Sequence, residues 1–370
     1  MVVTERELER VKSRCHLKGF DHVELYVGNA LQASHFYRTA LGFTPVAYAG
    51  PETKMRDRSS FVVEQQKIRL VLTSGLGHDD QISEHVRLHG DGVKDIAFAV
   101  EGAAGIFEEA IKHGARPVME PTVLEDQWGS IVKATIGVYG DTVHSFVERN
   151  GYGGSFLPGY LPIESPSTTR LTGLDEIDHI AVNVESQTLN YWADYYNCVL
   201  DFHQSHQEDI LTDESSMNSK VVQNSSGRIK FPILEPASAK QKSQIEEFLS
   251  FYHGPGVQHI ALSCHDIVST VRELRSNGIE FLQTPGSYYD ALEDRIGKID
   301  ERTDDLRELN ILVDRDEWGY LMQIFSKPVQ SRPTLFFEVI ERKEARGFGG
   351  GNIKALFQAV EREQALRGNI

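Results

Sequence analysis

The segment RPTLFFEVIER (332–342) sets an acid where an apolar strand would otherwise carry an apolar side chain. Strand side chains alternate faces, so Phe336, Glu338 and Ile340 point one way and Phe337, Val339 and Glu341 the other. A carboxylate between Phe and Ile is expected to be buried, which is unfavourable by several kcal/mol unless a cation compensates it. A metal ion is one such cation, and two histidines stand ready to share it. His179 in IDHIAVNV (177–184) and His259 in VQHIALSC (257–264) hold the same phase of the same motif, and Glu338 follows at about the interval that separates them. Two imidazoles and one carboxylate with positions left open make the facial triad that suits non-haem Fe(II) and oxygen chemistry.

What must position these side chains is a repeat. FDHVELYV (20–27) and VKDIAFAV (93–100) resemble the two histidine segments, and each of the four reads as a strand with a polar residue near its start. Helical spacing follows in 103–113 (Ala103, Ile106, Phe107, Ala110, stop at Gly114) and in 267–277 (Ile267, Val268, Val271, Leu274, N-cap Asp266, stop at Gly278). Alternating strands broken by turn residues come next, as in 59–74 and 219–234. The unit is therefore strand, helix, several strands, present four times, and pairing of units covers the concave side of each small sheet. A longer period relates 19–43 to 176–202, which divides the chain into halves joined by the Gly/Pro/Ser-rich 151–170. In the first half the matching positions are His22, Asp95 and Ser145, a poor ligand set, so that half is read as scaffold or interface.

Composition sets the class. The 370 residues, 40% hydrophobic and 25% charged, describe an ordinary globular protein, and the net charge of −16 at pH 7 would repel phosphate backbones and argues against nucleic acid. No apolar run is long enough for a membrane span, and the charged start MVVTERELERVKSRC lacks the core of a signal peptide, so a cytoplasmic protein is expected. Cys15, Cys198 and Cys264 have no metal-binding spacing and fit reduced, buried thiols. Near the site, Gln323, Gln258 and Ser219 are candidates to orient a polar substrate, and Phe325, Phe336 and Phe357 to pack a ring. The tail 347–370 reads as a glycine hinge and an amphipathic helix (Ile353, Leu356, Phe357, Val360), placed to act as a lid.

The ordered motifs IDHIAVNV, GPGVQHIAL, DRDEWGYLMQIF, RPTLFFEVIER and GFGGGNIKALF resemble the 4-hydroxyphenylpyruvate-consuming dioxygenases of the vicinal oxygen chelate fold, from about residue 18 to the end. With the repeat, this implies an α+β architecture of four βαβββ modules paired into two open barrels. Its expected parts are an N-terminal domain without a metal site (18–150), a linker (151–173), a catalytic domain (174–346) and a lid helix (347–370). The resemblance implies Fe(II) on His179, His259 and Glu338, with Ser219, Gln244, Gln258, Gln323 and Asn352 as catalytic polar groups. Pro232, Leu234, Phe325, Phe336, Ile353 and Phe357 would surround the substrate. The partners implied are 4-hydroxyphenylpyruvate, chelating iron through its carboxylate and keto oxygens, and O2, with a homo-oligomer formed through the N-terminal halves.

One branch of this family oxygenates the ring and gives homogentisate; the other oxygenates the benzylic carbon and gives 4-hydroxymandelate. The ring-oxygenating branch typically shows Pro-Ile-Asn-Glu-Pro and Gly-Asn-Phe, where this chain has Pro232-Ile233-Leu234-Glu235-Pro236 and Gly351-Asn352-Ile353. Pro232 and Phe357 follow the ring-oxygenating pattern, whereas Leu234, Ile353 and the stretches 185–196, 216–224 and 314–321 lean the other way. The expected activity is 4-hydroxymandelate synthesis, with 4-hydroxyphenylpyruvate dioxygenation to homogentisate as the alternative. An isomerase of this fold would normally want a fourth protein ligand, and mere sequestration of a small molecule gives no reason for a buried His/His/Glu set.

Overall fold

The computed structural model describes residues 15–164, 170–211 and 215–368. The reading of the leader, and the parts of the linker and tail at 165–169 and 369–370, lie outside the described residues.

Each module begins with a strand that carries the repeated motif: β1 (Leu17–Tyr26), β5 (Gly92–Val100), β10 (Leu174–Asn183) and β14 (Gly256–Cys264). A helix follows in every case: α1 (Ala30–Thr39), α3 (Ala103–Lys112), α4 (Leu189–Leu200) and α6 (Ile267–Ser276). Helix α2 (Gln81–His89) precedes β5 and α5 (Gln244–Tyr252) precedes β14. Both helices expected from spacing are present, and Asp266 caps α6 by accepting from the Ser269 N–H.

The remaining strands are β2 (Thr44–Ala49), β3 (Arg58–Gln65), β4 (Ile68–Gly75), β6 (Arg116–Asp126), β7 (Gly129–Gly137), β8 (Val143–Glu148) and β9 (Leu161–Pro162) in the first half. The second half has β11 (His203–Leu211), β12 (Ser216–Gln223), β13 (Lys230–Pro236), β15 (Leu312–Arg315), β16 (Tyr320–Phe325) and β17 (Phe336–Lys343). Sheet order is β6-β7-β8-β5-β1-β4-β3-β2-β9 and β11-β12-β13-β10-β14-β17-β16-β15. In all four modules the first strand lies parallel to the last, as in β1–β4, β5–β8, β10–β13 and β14–β17, and the two modules of each half join antiparallel through β1–β5 or β10–β14. This is the expected α+β fold of paired βαβββ modules. Two features are additional: β9, from the expected linker, adds to the edge of the first sheet, and three short helices, α7 (Ser287–Asp290), α8 (Leu292–Ile296) and α9 (Thr303–Leu309), are inserted in the last module.

Apolar strand faces pack under the helices, and one core runs through both halves, where Phe20, Phe98, His144, Tyr196, Phe202 and Phe231 stack together. The other face of each sheet is cupped. Helix α10 (Gly350–Arg367) closes the second cup, its entry held by Asp314, which accepts from the Gly351 N–H, and by Asp316, which accepts from Arg346 and Gly347. Its far end is fixed by an ion pair at 2.6 Å between the half-buried Arg367 and the buried Glu247. Among the described residues no helix is long and apolar enough to cross a membrane.

Candidate metal centre

Three adjacent strands bring the expected ligands together. His179 on β10 pairs with Ala261 on β14, His259 pairs back with Ala181, and Glu338 on β17 lies beside Ala261, so small residues alternate with donors and leave room between them. His179 Nε2 and His259 Nε2 stand 3.2 and 3.4 Å from the same Glu338 oxygen, and all three side chains are buried. Donors bonded at about 2.1 Å to one small ion lie at such separations.

The tautomers are set from behind. Alternation would place Asp178 and Gln258 on the opposite face from their neighbouring histidines, yet each is the extra residue of a β-bulge, between Ile177 and His179 and between Val257 and His259. The bulge turns both polar groups toward the rings: His179 Nδ1–H donates to Asp178 at 2.8 Å and His259 Nδ1–H to Gln258 Oε1 at 3.0 Å. Each Nε2 lone pair then faces the Glu338 oxygen, so three acceptors converge with no proton donor among them, an arrangement that calls for a cation. Asp178 is held in turn by Arg342 (2.7 and 2.9 Å) and Lys230 (3.4 Å), and Arg342 also donates to the Gly347 carbonyl at the tail hinge.

Burial alone would raise the Glu338 pKa, but the adjoining His179 and then His259 pull it down to about 2. Burial pushes His259 down, whereas at His179 burial is outweighed by Glu338 and the carboxylate of Asp178, so that imidazole is the more basic. The second Glu338 oxygen accepts from Gln323 Nε2 at 2.8 Å. That leaves the Gln323 carbonyl oxygen turned toward Asn352, whose amide meets it at 2.8 Å as donor.

A cavity opens over the triad. Of the residues named from the sequence, Ser219, Gln244, Gln258, Gln323, Pro232, Leu234, Phe325 and Ile353 line it. The Gln244 Oε1 atom is buried with no hydrogen-bond partner, a polar group left for a ligand. The other three expected site residues sit one layer back. Phe336 stacks on the His259 ring at 4.9 Å, Phe357 is enclosed with Leu234, Met217 and Ala181, and Asn352 acts through Gln323. Lining residues that the sequence did not single out are His206, Glu208, Met217, Val221 and Phe348, and Leu356 of the lid helix's apolar face lines the cavity too. His206 and Glu208 belong to a strand, HQSHQEDIL, whose polar, exposed pattern carries no sign of a site.

The first cup is a control. By register His22, Asp95 and Ser145 match the ligands, but Asp95 is occupied by Lys133 Nζ at 3.2 Å and by Ser145 Oγ at 2.5 Å. An ammonium supplies there the positive charge that the second cup lacks.

A family model described as the Glyoxalase/Bleomycin resistance protein/Dioxygenase superfamily matches residues 19–124 and 176–324. The 4-hydroxyphenylpyruvate dioxygenase of Yarrowia lipolytica is 44% identical over 383 aligned residues, covering 99% of this chain and 97% of that protein. That of Dictyostelium discoideum is 43% identical, covering 96% and 100%. A solved structure of a triple mutant of 4-hydroxymandelate synthase from Streptomyces coelicolor superposes with a TM-score of 0.87 at 39% identity, covering 94% of this chain and 99% of that one.

Proposed function

Since the chain belongs to the 4-hydroxyphenylpyruvate dioxygenase family of the glyoxalase/dioxygenase superfamily, we propose that it oxidatively decarboxylates 4-hydroxyphenylpyruvate with O2, releasing CO2, and that the product is homogentisate. The chain is an enzyme of the non-haem iron, 2-oxo acid-dependent class. The observation that carries the reading is the buried convergence of His179, His259 and Glu338 beneath a mostly apolar cavity. Fe(II) held by these three would supply chelation of the 2-oxo acid and activation of O2.

The chain's own residues do the rest. Gln323 fixes which Glu338 oxygen faces the histidines, and Asp178 and Gln258 keep both Nδ1 protons away from the donor set. Ser219 and Gln244 present polar atoms to the oxo acid or the phenol. Phe325, Leu234 and Ile353 bound the ring, and Phe348 with Leu356 excludes water.

Homogentisate is favoured by the dioxygenase names of the curated relatives. A specific observation favours the second reading, 4-hydroxymandelate: Leu234 and Ile353 both line the cavity and back onto Phe357, giving a wall without an amide or a second aromatic ring. Such a wall lets the ring tilt so that the benzylic carbon meets the oxidant. Tenfold in product ratio needs only about 1.4 kcal/mol of barrier difference.

Chromatography with fragment-ion analysis of the product from 4-hydroxyphenylpyruvate, Fe(II) and air separates these two isomers. Homogentisate is expected; 4-hydroxymandelate alone would establish the second reading, and absence of O2 uptake would reject both. If 4-hydroxymandelate forms, Leu234→Asn with Ile353→Phe is expected to shift the ratio toward homogentisate by at least about tenfold. An unchanged ratio would reject the wall argument.

A further inference from the structure

Outside the iron-binding cup, α2 carries His85 and His89 one turn apart on one buried face, and Asp141 reaches them from the β7–β8 turn. The three donor atoms lie within 4.8 Å of one another. His89 Nδ1 is against the Tyr252 carbonyl, an acceptor, so Nδ1 carries the proton and Nε2 presents its lone pair. That lone pair faces Asp141 Oδ2 at 3.6 Å, two acceptors opposed. His85 Nδ1 stands 2.7 Å from the same oxygen, and two atoms of the cluster, His85 Nε2 and Asp141 Oδ1, are buried without any hydrogen-bond partner. The nearest positive charge is the ammonium of Lys94, 3.4 Å from Asp141 Oδ2.

The geometry points to a second divalent-metal site formed by His85, His89 and Asp141, separate from the iron ligands. Two imidazoles and a carboxylate suit a zinc-class ion; calcium and magnesium prefer all-oxygen sets, and no thiolate is at hand to select copper(I). Burial lowers the His85 pKa, which keeps that imidazole neutral and ready to bind. The 2.7 Å gap between His85 and Asp141 is now spanned by a proton. Binding therefore shifts the one proton of the neutral His85 ring from Nδ1 to Nε2, opens that gap by a few tenths of an ångström and displaces Lys94. Asp141 lies on the wall of an open cleft shared with Glu24, Tyr26 and Arg116, which gives an ion access to histidines buried beneath it. The ion would join α2 to the β7–β8 turn and, through His89, to Tyr252 on α5, the helix that begins with Gln244 in the substrate cavity.

The test uses the full chain with the iron site disabled by His259→Ala and Glu338→Ala, titrated with Zn(II) by calorimetry in two buffers and checked by metal analysis after dialysis. One Zn(II) per chain is expected, with a heat that is the same in both buffers, because the neutral imidazoles change tautomer without net release of a proton. Adding Asp141→Asn should weaken binding by about tenfold or more, and adding Lys94→Met, which removes the competing ammonium, should tighten it by about tenfold. Absence of stoichiometric Zn(II) in the disabled chain overturns the inference. So does an affinity that neither Asp141→Asn nor Lys94→Met alters, even when one of the two variants is poorly folded.

Discussion

The bulge residue Asp178 offers the sharpest test of how the proposed iron ligands are organised, because the chain contains its own control. Asp178→Asn keeps size and leaves an oxygen that can accept from His179 Nδ1, but it removes the charge that Arg342 and Lys230 share. All three charged side chains are largely buried, with 7% of Asp178 and 17% of each partner exposed, so loss of the acid leaves two poorly compensated cations. Breaking such a network by one partner costs about 3 kcal/mol of stability. A group that orients a ligating histidine is also worth roughly 10- to 100-fold in metal affinity. In the first half Asp21 is the bulge counterpart, bonded to His22 at 2.7 Å and doubly to Arg149 at 2.7 Å, with no ligand set in front of it. Asp21→Asn should therefore lower stability comparably and leave iron binding within about twofold of the parent. The assay is anaerobic Fe(II) titration against a chromogenic chelator, paired with urea unfolding of both variants. Equal iron affinity in the two variants, or undiminished affinity in Asp178→Asn, would refute the orienting role.

Gly349 has φ 71°, and a Cβ there would meet Gln323 Oε1 at 2.7 Å, so Gly349→Ala should cost about 1 kcal/mol in backbone strain and push Gln323 off Glu338. Turnover is expected to fall about tenfold, more than the stability loss explains; unchanged kcat at the lowered midpoint would show that Gln323 does not matter. His144, buried against Tyr196 and the Ile96 carbonyl, has its pKa lowered from 6.5 to about 4, chiefly by burial. Between those values the unfolded chain takes up a proton that the folded chain refuses. Its contribution is thus complete above about pH 6.5 and declines toward pH 4, by about 3 kcal/mol in all. Denaturant midpoints of the parent and His144→Gln at pH 7 and 4.5 should diverge in pH dependence, and parallel curves would contradict this.

Much of this was legible in the sequence because the repeat writes every signal more than once. His179 and His259 are recognisable as a pair since IDHIAV and VQHIAL share a phase, and the apolar spacing at 103–110 and 267–274 fixes both helices to within a residue or so. What stayed hidden is where local rules yield to tertiary ones. Period-two alternation puts Asp178 and Gln258 on the wrong face, because one extra residue in a bulge is invisible to it. The inserted helices across 287–309 interrupt the last module without altering its strand order, so the repeat gave no warning of them. Phe336 and Phe357 were expected around the substrate but back the His259 ring and the Leu234 wall instead, since an aromatic in an apolar run does not declare which layer it fills. His85 and His89 do carry a signal, their four-residue spacing, but Asp141 lies far along the chain and only the fold adds it.

The two cups show why one fold carries its chemistry on one side only. Register places Lys133 of the first half where the second has Gln323, since Lys133 faces Val147 two residues beyond Ser145 and Gln323 faces Ile340 two residues beyond Glu338. The lysine reaches an acid directly; the glutamine can only donate a neutral hydrogen bond to Glu338, leaving that carboxylate short of positive charge. Behind the rings the logic is the reverse, because Asp21 with Arg149 and Asp178 with Arg342 are the same device in both halves. The support for the histidine is therefore common to the repeat, whereas demand for an external cation depends on whether the third strand of the cup supplies an ammonium. A metal centre in this architecture follows as much from the absence of a lysine at 323 as from the presence of Glu338 and its two histidines.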